Sequence, residues 1–223
     1  APTEDVLRRF TLAYINEQRF QTALSTLAQL SQQLPNDSWA TYYTALILAP
    51  TSPAEALTYV EPLIMHEVYG TTMQDLYAIL KSAQPDFVII SDVAALYASR
   101  RLWPIAEYAF QYAADTFEPY PDALAYVGLM RAMQNKNSQS VIAQALALDP
   151  LNSSIRMIAG IERRINQDYE TSLSAIFQAL AIEPTNPVLY SELSLSYTGL
   201  GLHHEAHYWD TFSRLLQGIG NVT

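Results

Sequence analysis

Apolar residues recur at spacings of three and four positions along most of the chain, and polar turns or prolines separate the apolar segments. This spacing places the apolar side chains on one face of a helix, which is typical of amphipathic helices that pack on a core. Only 7 of the 223 residues are glycine, and half of the residues are hydrophobic. Both observations favour a folded, helical chain. The pattern therefore predicts an all-α fold.

The helical segments repeat in pairs. Residues 12–37 and 162–187 both run from an apolar helix through a polar turn to a second helix that ends at proline. A small residue begins the pattern, a second follows after about twelve positions, a third after seven more, and proline after five more. Six units follow this pattern, and their first small residues are Thr11, Thr44, Ala94, Gly128, Gly160 and Ser194. The central small residues are Ala23, Ala56, Ala106, Ser138, Ser172 and Ala206.

The central small residues recur at intervals of 33, 50, 32, 34 and 34 positions. The long interval equals one repeat plus a further segment, which glycine and proline bound and which predicts one extra helix at about 71–84. We therefore predict about 13 helices, namely the extra helix and six pairs at about 4–36, 37–69, 87–120, 121–152, 153–186 and 187–220. The second unit lacks the final proline, and the turn of the fourth is two residues shorter.

The period of 34 and the register of small residues resemble the tetratricopeptide repeat (TPR) family, over nearly the whole chain. The resemblance implies an α-solenoid of antiparallel helix pairs that follows a right-handed superhelix, as a single domain over residues 1–223. It also implies a function. The first helix of each pair lines a concave surface in this family, and that surface often holds a peptide or a partner helix.

Offsets from each first small residue select the side chains that would line this groove. They are Arg8, Leu12, Thr41, Ala45, Ser91, Ala95, Ala125, Leu129, Met157, Ile161, Ser191 and Leu195, with Arg164 one turn further along its helix. Family members that grip a carboxylate have Lys, Arg and Asn at such positions, and this chain has no such set. The small, apolar lining suits an amphipathic helix, a hydrophobic peptide or a second copy of the chain.

Charge and composition narrow the range of partners. The net charge of −10 argues against nucleic acid as a partner. The absence of cysteine excludes disulfides, iron–sulfur clusters and thiolate zinc. No glycine-rich phosphate loop or nucleophile elbow occurs, so we expect no cofactor and a protein or peptide partner.

The stretch HHEAHYWD, residues 203–210, is the one place where metal-binding residue types crowd together. On a helix His203, His207 and Asp210 would share one face, as a metal site requires. The stretch lacks one residue of the zinc-protease signature, however, and the repeat register gives another explanation. His203 occupies the position of Phe20, Trp103 and Tyr169, which suggests a ring that packs over the turn. Asp210 replaces an apolar series in the last unit, where a solenoid needs a polar end. We therefore predict no metal site.

Two functions remain open from the sequence. One is a non-catalytic scaffold that binds a peptide or a partner helix and supports complex assembly. The other is a regulatory or targeting part of a larger enzyme whose catalytic domain lies outside this chain, which begins at Ala1 without an initiator Met. No apolar run approaches the ~18 residues of a membrane helix and no signal peptide is evident, so we expect a soluble chain of unknown compartment. We also expect an exposed aromatic patch. The tyrosines expected to form it are Tyr42, Tyr43, Tyr108, Tyr112 and Tyr120.

Overall fold

A computed structural model describes residues 2–117 and 119–220, without the side chains of residues 219 and 220. These residues form thirteen α-helices, one 3-10 turn at Glu61–Leu63 and no strand, which confirms the all-α prediction. The helices are α1 Glu4–Asn16, α2 Phe20–Gln33, α3 Ser38–Leu48, α4 Pro53–Val60, α5 Gly70–Leu80, α6 Asp86–Ser99, α7 Trp103–Thr116, α8 Pro121–Met133, α9 Gln139–Leu148, α10 Ser153–Ile165, α11 Tyr169–Leu180, α12 Pro187–Gly199 and α13 His203–Gly220.

The turn inside each helix pair has a recurring backbone conformation. A residue with positive φ lies seven positions after the first small residue in five of the six units, namely Gln18, Arg101, Asn135, Gln167 and Gly201. Only the last of these is glycine, the residue that adopts this conformation without steric cost. Thr51 is the corresponding residue of the second unit and has no positive φ among the described residues. The second unit therefore departs from the repeat in its turn as well as in its missing proline.

The small residues permit close helix packing, as their register predicts. A Cβ added at Gly160 would lie 2.5 Å from Ile176 Cδ1, and Gly128 lies as close to Ile142. The apolar residue four positions after the central small residue is buried in all five units that have one, as Leu27, Val60, Phe110, Ile142 and Ile176. Each unit thus packs its second helix directly on its first.

The helices group into two compact units, Ala1–Glu118 and Pro119–Thr223. In the first unit α4 contacts α5, and α5 contacts α6, so the extra helix connects the second and third pairs. The third pair also contacts the first three helices. Gln18 Nε2 donates to the carbonyl oxygen of Pro104 at 2.9 Å, and the rings of Phe20 and Tyr108 stack with centroids 4.1 Å apart. The buried Tyr97 hydroxyl donates to the carbonyl oxygen of Leu46 at 2.9 Å.

The second unit is more regular. The first helices α8, α10 and α12 contact each other in sequence order, and each packs on its own second helix. Buried polar contacts join neighbouring pairs at corresponding positions. Ser138 donates to Glu162 at 2.6 Å, and the hydroxyls of Ser172 and Ser196 lie 2.8 Å apart. That both units form one continuous, right-handed solenoid domain stays a prediction.

Side-chain caps define several helix starts. Asn152 accepts from the backbone amide of Ile155 at 3.1 Å, and Asn186 accepts from that of Val188 at 3.0 Å. Asp37 accepts from that of Ala40 at 2.7 Å. Ser52 precedes α4, but its side chain makes no such bond.

Candidate interaction surfaces

Two of the thirteen predicted groove residues cannot contact a ligand. Ala45 and Ala125 are both 0% exposed. Ala125 lies in a core cluster with Ile142, Ile155 and Ile158, where α8 meets α9 and α10. A small side chain brings neighbouring helices close together, so these alanines are packing residues and their assignment to a groove surface is corrected.

The predicted groove residues of the first unit do not form one apolar surface. Arg8 donates to Asp37 at 2.6 Å, and its guanidinium lies 5.5 Å from the centroid of the Trp39 ring. The charge of Arg8 is therefore already balanced within the chain. Leu12 is 40% exposed, while Thr41 and Ser91 are half-buried. Ala95 is exposed in a shallow, open cleft between α5 and α6.

The predicted groove residues of the second unit are better grouped. Met157, Ile161 and Arg164 lie on one face of α10 at successive turns and are half-buried, and Met157 also packs against the core cluster of α11 and α12. Arg164 bonds Glu192 of α12 through Nε at 3.0 Å and through Nη2 at 2.9 Å. Leu195 lies one turn beyond Glu192 and is 46% exposed. The ion pair therefore joins the faces of two adjacent helices and leaves no uncompensated charge there.

Two further residues belong to the same surface. Val188 and Glu192 share a face of α12 with Leu195, and Val188 is also 46% exposed. The offsets from each first small residue, which predicted the groove residues, include neither Val188 nor Glu192. Extending the helical stripe back by one and two turns from Leu195 would have found them. We call the surface made by Met157, Ile161, Val188, Leu195 and the Arg164–Glu192 ion pair the α10–α12 strip.

The remaining predicted residues of this unit have packing roles. Leu129 is half-buried against the core cluster of α8, α9 and α10. The Ser191 hydroxyl lies 2.8 Å from that of Ser213, which ties α12 to α13. Neither side chain belongs to the α10–α12 strip.

The histidine-rich stretch lies on α13. His203 and His207 are exposed, and Asp210 forms an ion pair with Arg214 at 2.7 Å. Within the part of the chain that the structure describes, no group of three or more His, Asp or Glu side chains could hold a metal ion. The expectation that His203 packs over the turn is wrong. Tyr169, at the same repeat position, lies against Gly199 of the next pair, whereas His203 begins the last helix among residues 2–117 and 119–220.

The tyrosines expected to form an exposed patch are covered. Tyr42 is 9% exposed and stacks on Tyr69 with centroids 4.4 Å apart. Tyr43, Tyr108, Tyr112 and Tyr120 are half-buried. Burial raises the pKa of the Tyr42, Tyr43 and Tyr108 phenols. The prediction of an exposed aromatic patch is therefore wrong, because none of these five tyrosines is exposed.

Comparisons with known proteins address the fold. No family model matches the sequence, and no curated protein matches it. A solved tetratricopeptide repeat protein from Parabacteroides merdae ATCC 43184 is similar with a TM-score of 0.50 and 14% identity, over 92% of this chain and 77% of that chain. Two structures of MamA have TM-scores of 0.48 and 0.46 at 15% and 12% identity, over 69% and 96% of this chain and 91% and 92% of theirs. The Parabacteroides structure confirms the TPR-like solenoid fold, and such low identities address the fold alone.

No described helix combines the length and the apolar character that crossing a membrane requires.

Proposed function

We propose that this chain is a non-catalytic interaction scaffold and that its α10–α12 strip binds the apolar face of a helix from a partner protein. The observation that carries the proposal is the pairing of half-exposed apolar side chains with an internally neutralised ion pair. Val188 and Leu195 are each 46% exposed, on a helix that contacts α10 directly. Helical repeat folds use such faces for protein recognition.

The chemistry of the strip favours an apolar partner surface over an anionic one. Arg164 is the one cation of the strip, and its side chain is only 25% exposed beside Glu192. An anionic group would have to compete with that carboxylate. Covering a half-exposed Leu or Val contributes about 1 kcal/mol, so Val188 and Leu195 together supply a useful share of the affinity. The groove between two packed helices also matches the width of a third helix.

Substitution within the strip tests the proposal. The partner is first captured from the native source with the wild-type chain and purified, and its affinity is then measured by calorimetry. Leu195→Glu places a charge in the interface, and we expect it to weaken binding more than tenfold. Leu148→Glu is the matched control, because Leu148 is 55% exposed on α9, the second helix of its pair.

The controls separate the outcomes. Equal loss of affinity in both variants would mean that the charge acts through folding or solubility. Unchanged affinity in Leu195→Glu would refute the strip as the binding surface. Sedimentation of the chain alone tests a second copy as the partner, because the same variant would then shift the monomer–oligomer equilibrium.

A further inference from the structure

The extra helix leaves a cavity in the first unit. Because α5 lies in the path from α4 to α6, the space enclosed by the start of α4, the start of α6 and the end of α7 is not filled. The resulting cleft has a volume of about 520 Å³, within the range of roughly 300–1,000 Å³ that is typical of ligand sites. We call it the α4–α7 cleft. No offset in the repeat register marks it.

The cleft has an apolar interior. Its apolar lining includes Leu57, Leu80, Ile89, Tyr112 and Phe117. Of these, Leu80 is buried, at 8% exposed. Two prolines, at positions 50 and 53, form part of the wall. Proline fixes its own backbone torsion φ, so this wall is largely pre-formed and an occupant loses little affinity to ordering it.

The mouth of the cleft is acidic. Asp86 is the only charged residue of the lining, and it is exposed as the first residue of α6. Its carboxylate makes no ion pair or hydrogen bond that is seen among residues 2–117 and 119–220. The exposed Glu55 and Asp115 are sequence neighbours of the lining residues Ala54 and Thr116 but do not line the cleft, and the Asp115 carboxylate accepts from Gln111 at 2.8 Å. The nearest lysine in the chain, Lys81, has its ammonium 5.7 Å from the centroid of the Tyr77 ring.

We infer that the α4–α7 cleft binds an apolar side chain of a basic peptide segment from a partner protein. The apolar interior takes the large side chain, and the carboxylate of Asp86 attracts the lysine or arginine beside it. A second copy of this chain is a poor occupant, because its net charge of −10 would bring like charges together. The site lies in the first unit and does not depend on the α10–α12 strip.

Methyl NMR on the whole chain tests the inference. Two probes are titrated: a short peptide with two central leucines flanked by lysines, and the same peptide with glutamates in place of the lysines. Ile89 and Ile90 line the cleft and report binding, while Ile158 lies in a core cluster of the second unit and serves as the remote reference. We expect the lysine peptide to shift the two cleft methyls saturably. The glutamate peptide should bind at least ten times more weakly, because like charges at an interface are strongly unfavourable.

Three variants locate the binding. Ala54→Trp fills the mouth of the cleft from an exposed position and should weaken the lysine peptide more than tenfold. Asp86→Asn removes one exposed charge and should weaken it about threefold, as expected for an exposed ion pair. Ala28→Trp is the matched control, since Ala28 is exposed on α2 and outside the cleft. It should bind like the wild type.

Several results would overturn the inference. One is the absence of any shift at Ile89 and Ile90, and another is equal affinity for both peptides. A third is tighter binding of octanol than of the lysine peptide, which would make the cleft a site for small apolar molecules. Loss of peptide binding in Ala28→Trp to the same extent as in Ala54→Trp would place the peptide elsewhere.

Discussion

The close approach of α10 and α11 at Gly160 gives a sharp test of the repeat packing. In Gly160→Ala the new Cβ would lie 2.5 Å from Ile176 Cδ1 and 2.8 Å from its Cγ1, well inside van der Waals contact. Ile176 is 0% exposed, so its side chain cannot relieve the contact by moving into solvent. Overpacking of this kind costs about 1–3 kcal/mol. Replacing glycine by alanine within a helix stabilises the folded state by about 1 kcal/mol. We therefore expect a net destabilisation of up to about 2 kcal/mol.

Gly218→Ala is the matched control, because nothing lies within 4 Å of a Cβ added there on α13. It should stabilise the chain by a few tenths to about 1 kcal/mol. Urea unfolding gives both values when followed by the fluorescence of Trp209, which is half-buried and packs against a core cluster of the second unit. Trp39 and Trp103 lie in the first unit and are replaced by phenylalanine in all variants.

A double-mutant cycle identifies the cause. Ile176→Ala alone should cost about 2–5 kcal/mol. Combined with Gly160→Ala it should cost less than the sum of the two single variants, because the new methyl group occupies space that the isoleucine vacates. Stabilisation by Gly160→Ala equal to that of Gly218→Ala would refute the close packing. Additive effects in the cycle would show that Ile176 is not the atom group in conflict.

Three further predictions concern the turns, the caps and the buried tyrosine. Gly201 has φ of 75° and open space around its Cβ position, so Gly201→Ala should cost about 1–2 kcal/mol from backbone strain alone, measured by urea unfolding. Asp37→Ala removes both the cap on Ala40 and the ion pair with Arg8 and should cost about 1–2 kcal/mol, whereas Asp37→Asn keeps the cap and should cost less in the same assay. Burial raises the pKa of the Tyr97 phenol well above its ordinary value of 10.0. Wild-type stability should therefore hold below pH 10 and fall above it, because the unfolded chain ionises there before the folded chain does. Tyr97→Phe should be about 1–2 kcal/mol less stable at neutral pH and show a shallower alkaline fall in a pH series of unfolding curves.

The errors of the sequence-based prediction have one physical origin. Repeat offsets assign a residue to a helix face, but they do not say whether another helix covers that face. Ala45 and Ala125 occupy the expected face and are nevertheless fully buried. The prediction that Tyr42 is exposed is wrong for the same reason, because Tyr69, near the start of the extra helix, stacks on its ring. Arg8 and Arg164 occupy predicted groove positions, yet each is paired with a carboxylate of a neighbouring helix.

The amino-acid sequence by itself determined the helices, their pairing and the small residues at which the paired helices touch. These features depend on local spacing: three or four residues per turn, a left-handed residue in the turn and a small residue at each close approach. Only the tertiary structure decided which faces stay open. Contacts between separate helices bury two predicted groove residues, neutralise two arginines and leave the α4–α7 cleft beside the extra helix. Such contacts depend on the positions of whole helices in space, which no periodicity along the chain encodes.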